Sequence, residues 1–496
     1  MASRPKTSVT TSSTPSWPPE LRRRTPRRLV LASLVMITGM LASCTGTLPS
    51  ADPARYDAGL WPQRPVVELS FDVAPDLRTV TGRESVVFTP DMRACELVFR
   101  AWPNNPTIAK AGSSLTVTDT SVAGRPVTSQ VIAAGAAPDA PGTLIEISLA
   151  ECLDPGESVR AELGFRLVLG ADADERVGHS PGTQTAWFGS GFPLLAWVRG
   201  SGWARDPAVP MYGETATSED FMLAALVVTA PTGYQVIGTG VGAGETAGPA
   251  AGSTTHRFTT AAVRDVSVAV GRYDVVDSEV DGVRLHLATP QAGTRADPQD
   301  WADEIGAAIT SLTALFGPFP YPELWVAITP GQSDGTEFPT ALQFGDVRPG
   351  QLRALVAHEV AHQWVYSLVG NNQAENPWLD ESLATLGEGI AGGDGSDYRN
   401  RDISRRVAGL LGQPMTYWAD NGGFDRYTEG VYNQGAAVLL QARRQVGADR
   451  FDIALRSYIA ANAHQVATPA DFAHAFADVP QVLDLLGRAG ALPNDR

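Results

Sequence analysis

The sequence predicts a multidomain chain, an all-β unit followed by an α+β unit. Three observations carry that expectation. From residue 63 to about 280, apolar and polar residues alternate and helical periodicity is nearly absent. Helical patterns then dominate, with a short strand among them. Within this second part, Leu355-Val356-Ala357-His358-Glu359-Val360-Ala361-His362-Gln363-Trp364 reads H-E-x-x-H in an apolar helical frame.

The first 43 residues do not read as fold. A basic block, Arg22-Arg23-Arg24-Thr25-Pro26-Arg27-Arg28, precedes an apolar run of thirteen residues from Leu29 to Leu41. That run is too short for a comfortable membrane span and has the layout of a secretory leader. The Leu41-Ala42-Ser43-Cys44 ending resembles a lipobox, which implies a diacylglyceryl group on Cys44 and a lipid anchor on the outer face of a bacterial membrane. Arg27-Arg28 faintly resembles a twin-arginine signal, and the export route stays open. Residues 44–62 read as a tether. Residues 1–43 hold seven of the basic side chains and one acid, so the net charge of −16 becomes −22 without them. Such a surface argues against nucleic-acid partners and against a polybasic grip on lipid. Cys95 and Cys152 remain, and in an exported chain they suggest a disulfide.

The expected strands follow in order. Val67, Leu69, Phe71 and Val73 alternate with Glu68, Ser70 and Asp72, a half-buried strand. Thr79–Phe88 repeats the pattern after a Pro75-Asp76 turn. Further strands are expected near Glu96–Trp102, Leu144–Leu149, Arg160–Leu167, Phe221–Thr229, Val236–Gly240 and Val263–Val276. The all-β unit spans 63–280.

The unit 281–496 begins with a helix from Asp297-Pro298 to Phe316, stopped by Gly317, and a strand Leu324–Ile328. A helix from about Gln351 to Leu368 then carries both histidines of the motif. Spaced four apart, they share one face and reach one metal ion, while Glu359 is offset and free to act on water. A catalytic zinc takes three protein ligands. A second helix starts at Asn376-Pro377 and brings Glu381, eighteen residues beyond His362, beside the pair. Glu388 lies two turns further along the same face and is the candidate to orient a ligating histidine. Helices are also expected at Gly435–Val446, Phe451–Ala461 and Pro469–Phe476.

HEVAHQW, the eighteen-residue gap and Trp378-Leu379-Asp380-Glu381-Ser382-Leu383-Ala384 resemble the gluzincin aminopeptidases, whose pattern is HExxHxW and then WLNEG. Asp380, Ser382 and Leu383 depart from it. The resemblance covers about residues 63–490. It implies a β saddle-like domain followed by a thermolysin-like zinc metallopeptidase domain, with one Zn2+ per chain. The long helical domain of the larger members is expected to be missing. Gly335-Thr336-Glu337-Phe338 stands where that family has G-x-M-E-N, so Glu337 is implied to bind a substrate α-amine. Tyr427-Thr428-Glu429-Gly430-Val431-Tyr432 resembles the segment whose tyrosine, here Tyr432, donates to the oxyanion. Together these imply zinc-dependent removal of N-terminal residues from peptide substrates, with Glu359 as base. Two rival readings stay open: a zinc endopeptidase that does not read the amine, and a catalytically inactive cell-surface binding lipoprotein.

Overall fold

The computed structural model describes residues 56–492 apart from 214–216, 393–397 and 399–402. The expected leader, Cys44 and residues 44–55 of the tether lie outside the described residues.

The alternating stretches form an eight-stranded sheet. Its strands run in the order Val241–Ala247, Ser253–Val263, Phe221–Pro231, Val66–Val73, Thr79–Phe88, Val159–Val168, Ser114–Val122 and Arg125–Pro126. Val66–Val73 pairs in parallel with Phe221–Pro231 and antiparallel with Thr79–Phe88. Period-two alternation sends Leu69, Phe71, Val80, Val86 and Phe88 to the buried face. Two four-stranded sheets and a two-stranded one, Trp197–Val198 with Gly202–Trp203, complete this part, and a shared core includes Phe71, Phe99, Phe165 and Trp197. Cys95, on the strand Ala94–Arg100, is disulfide-bonded to Cys152, on the adjacent strand Leu144–Leu153.

The single strand expected at Val263–Val276 is three pieces. One strand ends at Val263, another is Ser267–Gly271, and a third, Tyr273–Val280, pairs into a different sheet. The break falls at Arg264 and Asp265. Both are buried and spend their side chains on distant partners: Arg264 on Asp220 and the Ser218 carbonyl, Asp265 on Ser190 and Tyr366.

That different sheet has five strands, ordered Tyr273–Val280, Val283–Pro290, Glu323–Ile328, Ala341–Phe344 and Gly335–Phe338. The middle three are parallel, and the helix Pro298–Phe316 makes the crossover that parallel pairing requires. That helix starts and stops where the Asp297-Pro298 and Gly317 signals placed it. Gly335–Phe338 closes the sheet as an antiparallel edge beside the site.

The motif helix is shorter than expected. It runs Arg353–Ala361, with His362 at its cap, and does not continue to Leu368. Gln363 explains the ending. Its side chain donates to the Phe338 carbonyl and accepts from the Thr340 amide, both at 3.0 Å, tying the helix exit to the edge strand. Tyr366 then adopts a left-handed φ of 79° and reaches Asp265 at 3.0 Å. The second helix begins at Trp378, with Pro377 at the cap position and no side-chain cap, and not at Asn376-Pro377. Gly387 lets this helix pack closely: a Cβ there would stand 2.9 Å from Leu312 and 3.1 Å from Ala361, one on each neighbouring helix.

Candidate active site

The two helices bring three predicted ligands to one point. His358 Nε2 and His362 Nε2 lie 3.1 Å apart, and Glu381 Oε2 lies 3.3 Å from the first and 3.7 Å from the second. Four ligands at about 2.0–2.1 Å in a tetrahedron stand roughly 3.3 Å from one another. The observed spacings bracket that edge. Two imidazole nitrogens aimed at each other make no sense as a hydrogen bond between neutral rings that must also satisfy their other nitrogens. Glu381 Oε2 is buried and has no hydrogen-bond partner among the described residues. This donor set fits a small dication.

The rings are held from behind. His358 Nδ1 is 3.2 Å from Glu388 Oε2. His362 Nδ1 is 2.8 Å from Asp380 Oδ1. Burial lowers the proton affinity of His362, but the carboxylates of Glu337 and Asp380 more than offset it and push its pKa up to about 9. For His358, burial is likewise outweighed, first by Glu381 and then by Glu388. The site therefore favours positive charge at this point.

Glu359 is not one of those three ligands, although one of its oxygens lies within 4.8 Å of a His362 nitrogen. It is 5% exposed, and its Oε2 has no hydrogen-bond partner among the described residues. Burial, followed by the Glu337 carboxylate, raises its pKa to about 8. Gly335 makes room for it: a Cβ there would sit 2.4 Å from Glu359 Cγ. Glu337, on the same edge strand, brings an oxygen within 4.8 Å of Glu359 and His362. Its pKa is raised by burial, with His362 and Arg176 opposing.

Tyr432 arrives on a π-helical turn, Thr428–Asn433, ahead of the helix Gln434–Val446. Such turns recur at functional sites because they rotate one side chain out of α-helical phase. Its ring stacks on His358, with centroids 5.6 Å apart and planes 10° apart, and burial, then the Glu381 carboxylate, pushes the pKa of its hydroxyl well up. Glu337, His358, Glu359, His362, Glu381 and Tyr432 line one cavity of about 690 Å³.

No family model matches the sequence. It is similar to aminopeptidase M1-A of Oryza sativa subsp. japonica, 25% identical over 220 residues, covering 39% of this chain and 25% of that protein. It is also similar to aminopeptidase N of Haemonchus contortus, 28% identical over 153 residues, 28% of this chain and 16% of that protein. The chain thus spans about a quarter or less of the length of these curated relatives. Among solved structures it resembles an M1 zinc metallopeptidase from Deinococcus radiodurans. The TM-score is 0.61 at 18% identity, over 87% of this chain and 96% of that one. A mutant of that enzyme bound to a Tyr-Ser-Ala substrate gives 0.63 at 17% identity, over 87% and 94%. The fold is that of the gluzincin M1 metallopeptidases.

Against the M1 pattern, two departures acquire a physical meaning. Asp380, in place of the usual asparagine, puts a carboxylate behind His362, and Gln373 donates to its other oxygen at 2.5 Å. Phe338, in place of the asparagine of G-x-M-E-N, packs its ring on Gly189, where a Cβ would collide with it. Sequence reasoning passed over Asp380 as framework, although an acid beside a ligand on one helix was a usable signal. It also missed Arg176. This buried guanidinium lies 5.3 Å from the Trp102 ring and 5.5 Å from Phe338, and it lines the cavity. Arg176 comes from the β part, and nothing local marks it.

Proposed function

We propose that the chain is a zinc-dependent aminopeptidase that removes N-terminal residues from peptides. The observation that carries this reading is Glu337. A third buried carboxylate beside Glu359 and Glu381 is electrostatically costly unless a cation joins it. A peptide ammonium seated there makes charge-assisted hydrogen bonds and sets the first peptide bond at the base.

His358, His362 and Glu381 would hold the zinc. When bound, it supplies a Lewis acid for the scissile carbonyl and acidifies water. Glu359 accepts the proton of the attacking water and delivers it to the leaving amine, a task suited to a carboxylate whose pKa is raised by burial. The Tyr432 hydroxyl donates to the oxygen on which negative charge develops. Glu388 and Asp380 keep the proton on Nδ1 of each histidine, so both Nε2 atoms face inward.

The test compares a free-amine peptide with its N-acetylated form. Glu337→Ala should cost roughly 2–5 kcal/mol in kcat/KM on the free amine, the range for unpairing one partner of a buried charge pair. The acetylated peptide has no such charge and should change little. Equal losses on both would make the enzyme a zinc endopeptidase. A wild-type protein that takes up zinc stoichiometrically yet hydrolyses neither would make it a binding protein.

The chain is also read as exported and held to the membrane by a lipid on Cys44. The disulfide Cys95–Cys152 supports an oxidising compartment. No helix among the described residues is long and apolar enough to cross a membrane, and the two chains of a diacylglyceryl group suffice for a stable anchor. Cys44→Ser should move the protein from the membrane to the soluble fraction without changing its purified activity. A variant with its leader cleaved that resists salt washing would refute the anchor.

A further inference from the structure

An acid at position 380, where the M1 pattern has an amide, changes what its surroundings must supply. An amide carries a donor and an acceptor, whereas an ionised carboxylate only accepts, on two oxygens. Inside the protein both oxygens need donors. His362 Nδ1 stands 2.8 Å from Asp380 Oδ1, and neither atom has a hydrogen-bond partner elsewhere among the described residues. Gln373 Nε2 donates to Asp380 Oδ2 at 2.5 Å. His362 and Asp380 are each 1% exposed and Gln373 is 3% exposed, so water does not stand in for either donor. The other end of the Gln373 amide, Oε1, has no hydrogen-bond partner among the described residues. Gln373 lies in the connection that precedes the helix Trp378–Ala391. The chain on either side of it is held without its side chain. Asn371 Nδ2 donates to the Asn376 carbonyl at 3.0 Å, and the Met415 amide donates to the Ala374 carbonyl at 2.8 Å.

We propose that Gln373 is a positioning residue of the metal centre, holding His362 in its ligating orientation by fixing the plane of the Asp380 carboxylate. The inference rests on the zinc-site reading above. A histidine that offers Nε2 to a metal keeps its proton on Nδ1, and an acceptor there sets both tautomer and ring. The torsion that turns an aspartate carboxylate is broad and has no sharp rotamer of its own. The plane is therefore set by the donors that the two oxygens meet. His362 supplies one, and a single bond leaves the carboxylate free to turn. The Gln373 amide supplies the other and fixes the plane. Without it, Oδ2 is a buried anionic oxygen with no donor, which is costly. The carboxylate then turns to share the His362 N–H between both oxygens, and the ring follows it out of line. Neither Gln373 nor Asp380 lines the substrate cavity. Their effect reaches the reaction through the metal ligand and not through substrate contact.

The experiment measures zinc dissociation constants by chelator competition on the full chain, for wild type, Gln373→Met, Asp380→Ala and the double variant. Methionine keeps the length of glutamine and removes the donor. Loss of an outer partner of a metal ligand typically weakens binding about 10–100-fold. Gln373→Met should fall at the low end, about 10-fold, and Asp380→Ala should bind zinc more weakly still. The double variant should match Asp380→Ala, because the glutamine has no carboxylate left to hold. General damage from the methionine would weaken both backgrounds alike. Asp380→Leu, which keeps the shape of the side chain, serves as the second background if the alanine variant does not fold. The visible absorption bands of the cobalt-loaded protein should shift in Gln373→Met and not shift further in the double variant. Wild-type zinc affinity in Gln373→Met, unshifted cobalt bands, or penalties that add in the double variant would each overturn the proposal. Failure of wild type to bind zinc would overturn the zinc-site reading instead, so the wild-type control tells the two failures apart.

Discussion

Glu84 in the β part and Glu359 in the site are almost equally hidden, 0% and 5% exposed, and burial raises the pKa of both. Their surroundings differ. Glu84 sits mid-strand between Leu69 and Leu163, and neither of its carboxylate oxygens has a hydrogen-bond partner among the described residues. Glu359 stands among Glu337, His358 and His362, which pull its proton affinity in opposite directions and leave its pKa at about 8. Desolvation alone makes a carboxyl neutral and inert. Desolvation among opposed charges makes one poised to exchange protons near neutral pH. A raised pKa marks a functional carboxylate only when such partners and a cavity accompany it.

The sharpest break of this comparison is Glu359→Gln. The ligand triangle stays and the base goes, so zinc content should persist while turnover falls about 10²–10⁴-fold or more. Kinetics paired with elemental analysis decide it. Near-normal turnover in a zinc-loaded variant would place the base elsewhere.

Glu381→Ala tests the other half of the site, where a carboxylate is useful because it is ionised. Its pKa is lowered: burial pushes it up, but His358 and His362 outweigh that. Removing it should strip zinc from the protein as isolated, read as metal per chain. Full occupancy would mean that the third ligand is another side chain, with Glu337, within 4.8 Å of His362, an alternative.

How much of this was legible beforehand follows the length scale of each interaction. The strand Thr79–Phe88 and the helix Pro298–Phe316 are encoded by local period and punctuation, and both lie where the sequence puts them. His358, His362 and Glu381 are brought together by helix geometry and one short connection, so their spacing sufficed. The early end of the motif helix was not legible, because Gln363 stops it by bonding a strand 25 residues back. Nor was the division of Val263–Val276, which depends on Asp220 and Ser190, each just outside the end of another strand, reaching Arg264 and Asp265. Arg176 belongs to the same class. Alternation correctly buries position 84 but does not say that the residue there is an acid without a partner. That fact appears only when the facing strands are in register.

The smallest expected effect tests Glu84 itself, and its sign is fixed by linkage. The folded-state pKa of Glu84 lies above the unfolded value near 4.3. Below pH 4 both states carry the proton, and the side chain costs only its burial as a neutral group. As pH rises past the unfolded pKa, the unfolded chain releases the proton and the folded chain retains it. Stability then falls by about 1.4 kcal/mol per pH unit until the folded pKa is reached, and levels off above it. Glu84→Gln keeps the shape and removes the titration, so its stability should not carry this slope. The two proteins should unfold at similar denaturant concentrations near pH 4, and the variant should gain on the wild type as pH rises from there. Activity should be unchanged, since Glu84 does not line the cavity. Equal stability of variant and wild type at both pH values would show that Glu84 ionises freely in the folded chain. The contrast with Glu359 would then be one of water access and not of neighbours.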